Sequence, residues 1–165
     1  MEPLARPIIS LYGLSNSILA TGIGDLSDEN ARRRSRGGTG PSIAWTIGHL
    51  CHFKVKVLQL LGQSRDNPFA STFEHAAATD GAGYPPLADL AGTFSALNSE
   101  LCAALASSAD RLDAPMPAAG LHDEKRIIDT VLFLAWHEAY HIGAIGAIRR
   151  EQGRKAIAEL VRGDK

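Results

Sequence analysis

The chain has 165 residues, a formal net charge of −1, 45% hydrophobic residues and 21% charged residues. That length buries a core without disulfides, and the composition is that of an ordinary globular protein. The small net charge excludes an overall field drawing the chain to nucleic acid or anionic lipid, and apolar runs broken well short of about 20 residues predict no membrane span.

The opening Met-Glu-Pro-Leu-Ala-Arg lacks the basic-then-apolar layout of a secretory signal. Cys51 and Cys102 are the only cysteines, and both fall within helical patterns, as buried reduced thiols do. Both observations point to a cytoplasmic setting.

From Pro7 to Ile23, apolar side chains recur at Ile8, Ile9, Leu11, Tyr12, Leu14, Ile18 and Leu19, which predicts an amphipathic helix over 8–23. Gly22 and Gly24 end it. Residues 24–41 read as a polar linker, with Arg32, Arg33, Arg34 and Arg36 close together. Such a run raises the possibility of a nucleic-acid contact, but on a chain of this net charge a solvated loop is the plainer reading.

A second helix is predicted over 42–62, with Ser42 as N-cap and Gly62 as a stop that takes a left-handed backbone without strain. Residues 63–86 are punctuated by Asn67-Pro68, Thr79-Asp80-Gly81, Gly83 and Pro85-Pro86 and receive no assignment. A loop of this length is usually functional or hides a short helix. Helical spacing returns through Leu87, Leu90, Phe94, Leu97, Leu101 and Leu105, giving a helix over 86–108 that Pro115 and Pro117 confirm as ended. The last long helix is placed over 126–152 with Gly153 as its stop, and the tail from Arg154 to Lys165 adds a final turn or two. No stretch alternates with a two-residue period, so no sheet is expected. The reading is a single all-α domain over 1–165, built as a four-helix bundle.

His137 and His141 stand four residues apart in the last helix. That spacing rotates by about 40° and rises about 6 Å, so both imidazoles leave one face and can chelate one ion. The face also carries Phe133, Leu134, Ala144, Ile145 and Ile148, and imidazoles in an apolar interior need partners. A plainer alternative is a histidine pair hydrogen-bonded to neighbouring helices. His49 shifts the balance toward a metal, because it lies on a stripe with Trp45, Phe53 and Val57 that faces the core. Three nitrogens leave room for water or substrate. His52 competes as third ligand but is set second, because Lys56 continues its side of the helix outward. His75 and His122 fall in loops and are expected in solvent. The loop over 63–86 is expected to approach the open side of the metal, with Phe69, Phe73 and Tyr84 as apolar walls of a substrate pocket.

At these residues the chain resembles the DinB-like superfamily, which includes the YfiT-like proteins. The resemblance rests on Ser42-Ile43-Ala44-Trp45 leading into Gly48-His49-Leu50, on the run from Phe133 to Gly143 containing His137-Glu138-Ala139-Tyr140-His141, and on Arg149-Arg150 with Gly153. It covers roughly residues 5–153, and departs where relatives often carry Gln after the glycine and this chain has Ala144. The resemblance implies a four-helix bundle, often dimeric, holding nickel or zinc on three histidines. It also implies kinship with thiol S-transferases that use bacillithiol or mycothiol.

Three functions compete. A metal-dependent thiol transferase would take a low-molecular-weight thiol and a small electrophile, with His49, His137 and His141 as ligands and Glu138 as a weak candidate for proton transfer. The neighbouring position of Glu138 points about 100° away from His137, which favours an ion pair or a bond to another helix. A metalloprotease is suggested by H-E-x-x-H at His137 to His141, with Glu159 as a conceivable third ligand. A non-catalytic metal-binding or stress-response module is the third.

Overall fold

The structure, a computed structural model, describes residues 4–74, 81–117 and 125–163. Seven α-helices occur among the described residues: α1 (Ala5–Ile23), α2 (Asp28–Arg32), α3 (Ile43–Leu60), α4 (Ala70–Phe73), α5 (Leu87–Ser107), α6 (Ile127–Glu151) and α7 (Ile157–Arg162). There is no strand among them, only a bridge between Pro115 and Arg126. The four long helices α1, α3, α5 and α6 lie close to the predicted intervals. α1 starts earlier, at Ala5, and carries Pro7 in its first turn, where a missing N–H breaks no helical bond. The Ser42 hydroxyl accepts from the Trp45 N–H at 3.1 Å to start α3, and Gly62 closes it at φ 92°.

Among the described residues, the linker and both ends of the unassigned loop hold more structure than their composition suggests. Ser27 caps α2, and α4 is the short helix within 63–86. Arg32 reaches the carbonyls of Gly81, Tyr84 and Pro85, and Arg34 those of Thr39 and Gly40. These two guanidiniums act as clamps on peptide carbonyls that helix and sheet ladders leave unpaired.

The long helices pack in the cyclic order α1, α5, α3, α6. α3 and α6 are therefore neighbours, and they run antiparallel: His49 meets His141, while Phe53, one turn on, meets His137. Leu50, Leu58, Leu101 and Leu105 are at most 1% exposed, and burying each such side chain contributes about 1.5–3 kcal/mol. Cys51 is buried, Cys102 is half-buried, and both are free thiols.

Charges occur inside this core. Lys54 and Glu138, 1% and 3% exposed, pair at 2.7 Å across α3 and α6. Lys54 also donates to Asn98 Oδ1 of α5 at 2.8 Å and lies over the rings of Tyr12 (α1) and Phe94 (α5). Farther along α6, the fully buried Arg149 donates to both Asp25 oxygens, at 2.6 and 3.1 Å, and to the carbonyls of Gly22 and Lys155. This ties the end of α6 to the end of α1, and the hydrogen bond from Arg149 holds the Asp25 carboxyl below the usual carboxylate range.

By length and composition α6 is apolar enough to cross a membrane, unlike the expectation from the broken apolar runs. Its inner face packs against α1 and α3 and carries the buried Glu138. Its outer face between Asp129 and Arg150 exposes Leu132, Trp136, Ala139, Tyr140, Gly143 and Ala147, with no charged side chain.

Candidate metal centre

The antiparallel packing of α3 and α6 brings His49, His137 and His141 together; one ring nitrogen from each lies within 4.8 Å of the others. His141 Nε2 stands 3.0 Å from His137 Nε2, which stands 3.4 Å from His49 Nε2. His49 is buried, while His137 and His141 are half-buried, at the rim of the core rather than in it as their apolar face suggested. Trp45 stacks on the His49 ring at 4.7 Å, and Phe53 sets its edge against both His49 and His137 at 4.8 Å. Tyr140 stands edge-on to His141.

The tautomer of His49 follows from its neighbour. Its Nδ1 lies 2.6 Å from the Phe73 carbonyl, and a carbonyl only accepts, so Nδ1 carries a proton and in the neutral ring Nε2 presents its lone pair toward the other two histidines. Fixing one ring nitrogen on a carbonyl so that the other faces a metal is how ligating histidines are oriented. Gly48 permits the approach: a Cβ there would meet the Phe73 ring at 2.5 Å.

Burial, with the His49 charge second, pushes the His137 imidazole down to about 4. Burial, then His137 and His49, pushes His141 down to about 3. At neutral pH these rings are uncharged, the form that binds metal. Nitrogens bound about 2.0–2.1 Å from one ion stand about 3 Å apart, and the observed 3.0 and 3.4 Å separations match that spacing. The donor set therefore suits a divalent transition metal, with a position left for water or substrate.

His52 is not part of the group. It is fully buried, contrary to the outward path its side of α3 suggested, because the segment after α3 folds over it. Its Nδ1 accepts from Asn67 at 3.0 Å, and its Nε2 lies 3.7 Å from Glu74, which pairs with Lys56. Burial, with Lys56 second, pushes His52 down to about 4. His75 and His122 lie outside the described residues.

Glu138 turns into the core to meet Lys54. Burial raises its carboxyl, while Lys54 and a hydrogen bond from Ser15 of α1 oppose the rise. Glu159 accepts from the Ala156 N–H at 2.7 Å and pairs with Arg150 at 3.0 Å, engaged at the start of α7.

The expected aromatic walls take a different place. Phe73 packs between Phe69 and Tyr84, with Phe73 and Tyr84 buried, and none of the three lines the cavity of about 680 Å³ between α1, α6 and α7 or the one described next. A cavity of about 620 Å³ instead lies between the C-terminal half of α3 and the N-terminal half of α6. Phe53 is the wall it shares with the histidines, and Lys56, Arg111, Met116, Thr130 and Leu134 line the rest.

A family model described as the DinB superfamily matches residues 17–145, a span that holds all three histidines. The chain belongs to the DinB superfamily. A search among curated proteins finds no match.

Proposed function

We propose that this chain is a metal-dependent thiol S-transferase acting on small electrophiles, with His49, His137 and His141 as ligands of nickel or zinc. The observation that carries the reading is the meeting of three imidazole nitrogens within 4.8 Å of one another, two of the contacts at 3.0 and 3.4 Å. A divalent cation bound there supplies Lewis acidity that lowers the pKa of a thiol. His49 is held for this task by the Phe73 carbonyl, and Trp45 and Phe53 shield its ring from water. The cavity beyond Phe53 offers an apolar body of suitable size for a small substrate, with Arg111 and the Lys56–Glu74 ion pair at its wall.

The thiol is external on this reading, because burial pushes the Cys51 thiol up to about 12 and raises that of Cys102. A protease is disfavoured, since the glutamate of H-E-x-x-H is buried against Lys54 and is not free to activate water. A cytoplasmic homodimer completes the proposal.

The test is metal content after expression in metal-supplemented medium, followed by conjugation of bacillithiol, mycothiol or glutathione to a model electrophile. Metal-dependent conjugation lost in His137→Ala supports the transferase. Stoichiometric metal with no conjugation by any thiol leaves a non-catalytic metal-binding module. A chain that takes up no metal overturns both.

A further inference from the structure

Burying a carboxylate and an ammonium in a core is a poor way to gain stability, because an apolar pair of similar volume often holds helices together as well or better. What such a pair adds is direction: a 2.7 Å contact fixes rotation and register where apolar packing tolerates sliding.

We propose that the Lys54–Glu138 pair is a positioning device for the three-histidine group. It sets the rotation of α6 against α3 that carries His137 and His141 to His49, and it keeps the carboxylate next to His137 away from the ion. This rests on the reading that the three histidines take a metal.

Three observations support it. The Lys54 ammonium is located without help from α6, since Asn98 of α5 accepts from it at 2.8 Å and the rings of Tyr12 and Phe94 lie 4.6 and 4.3 Å away. It is a fixed point defined by α1, α3 and α5, onto which α6 docks through one carboxylate. Glu138 also lies between the two ligands on the same helix, about 100° from His137 and about 60° from His141, so fixing its direction fixes theirs. Finally, the buried Ser15 hydroxyl of α1 hydrogen-bonds the same carboxylate, so α1 also helps hold the direction of Glu138.

The test compares wild type, Glu138→Gln and the double variant Lys54→Met/Glu138→Leu. Metal-free thermal stability is measured beside affinity for Ni²⁺ and Zn²⁺ by competition with a chromophoric chelator. The double variant is expected to be as stable as wild type yet to bind metal about 10–100-fold more weakly, the usual cost of losing outer-shell support. Glu138→Gln is expected to show the same weakening and an altered Co²⁺ absorption spectrum. A double variant with full stability and wild-type affinity overturns the proposal, since the pair is then structural only. If the double variant does not fold, Glu138→Gln decides: unchanged affinity and an unchanged Co²⁺ spectrum overturn it. A wild-type chain that binds no metal sinks the metal reading and this proposal with it, whereas equal binding by wild type and variants sinks this proposal alone.

Discussion

His49 donates its Nδ1–H to the carbonyl of Phe73 across 2.6 Å, so the aim of one candidate ligand depends on where α4 rests. Gly48→Ala tests that dependence. Alanine favours a helix over glycine by about 1 kcal/mol, but its methyl would meet the Phe73 ring at 2.5 Å. Displacing a packed ring costs about 1–3 kcal/mol, so the clash should win. The variant is expected to melt earlier and to bind Ni²⁺ or Zn²⁺ about tenfold more weakly in chelator competition. Unchanged affinity would mean that His49 needs no outside support.

Single replacements of His49, His137 or His141 by alanine should each abolish stoichiometric metal, read by elemental analysis after equilibrium dialysis. His52→Ala should leave metal content near wild type while lowering stability, because it removes one of two acceptors for Asn67, leaving the His52 carbonyl, and opens a void in a fully buried site. Loss of metal in His52→Ala, with any one of the other three unaffected, would redraw the ligand set.

Acid should weaken the metal-free fold in a defined window. Unfolded histidines take a proton near about 6.5, whereas burial holds His52 and His137 at about 4 and His141 at about 3 in the folded chain. Between those limits the unfolded chain binds more protons. The stabilisation is therefore fully present above about 6.5 and is lost as pH falls through about 4 and then 3. Thermal melts should be level from about pH 7.5 to about 6.5 and then decline toward about pH 4, the decline being flattened in His137→Asn/His141→Asn. A wild-type melting temperature constant across that range would contradict the burial argument.

The outer face of α6 leaves Leu132, Trp136 and Tyr140 49%, 59% and 60% exposed, with the Trp136 and Tyr140 rings stacked at 5.8 Å. The proposed homodimer would cover this face, and so would account for an uncharged helix surface of that length. Light scattering is expected to give a dimer mass that Trp136→Glu/Tyr140→Glu halves. A monomer mass at every concentration would remove the homodimer.

The long helices were legible because their signals are local: the spacing of Leu90, Phe94, Leu97 and Leu101, the Ser42 cap, and Gly62 as a left-handed stop. The histidine group was legible for a related reason, since residues four apart on α6 share a face and His49 lies on the inward stripe of α3. Contacts between distant segments were not. A peptide carbonyl such as that of Phe73 carries no side-chain signature, and the one signal that could have pointed to it is the glycine directly before His49 in mid-helix. Lys54 reads from sequence as a surface residue, and only the fold reveals that Asn98, Tyr12 and Phe94 meet it inside. The burial of His52 depends in the same way on Asn67, fifteen residues away and in a different segment.

Burial of Cys51, whose thiol is pushed up to about 12, bears on how solutions of this protein behave. At neutral pH that sulfur is protonated and hidden, so it is a poor target for alkylating reagents and for oxidation by air. Modification at Cys51 should track transient opening of α3 and serve as a clock for unfolding. Sulfur–carbon bond formation in a reaction mixture containing the folded protein then comes from the added small thiol or from the half-buried Cys102, not from Cys51.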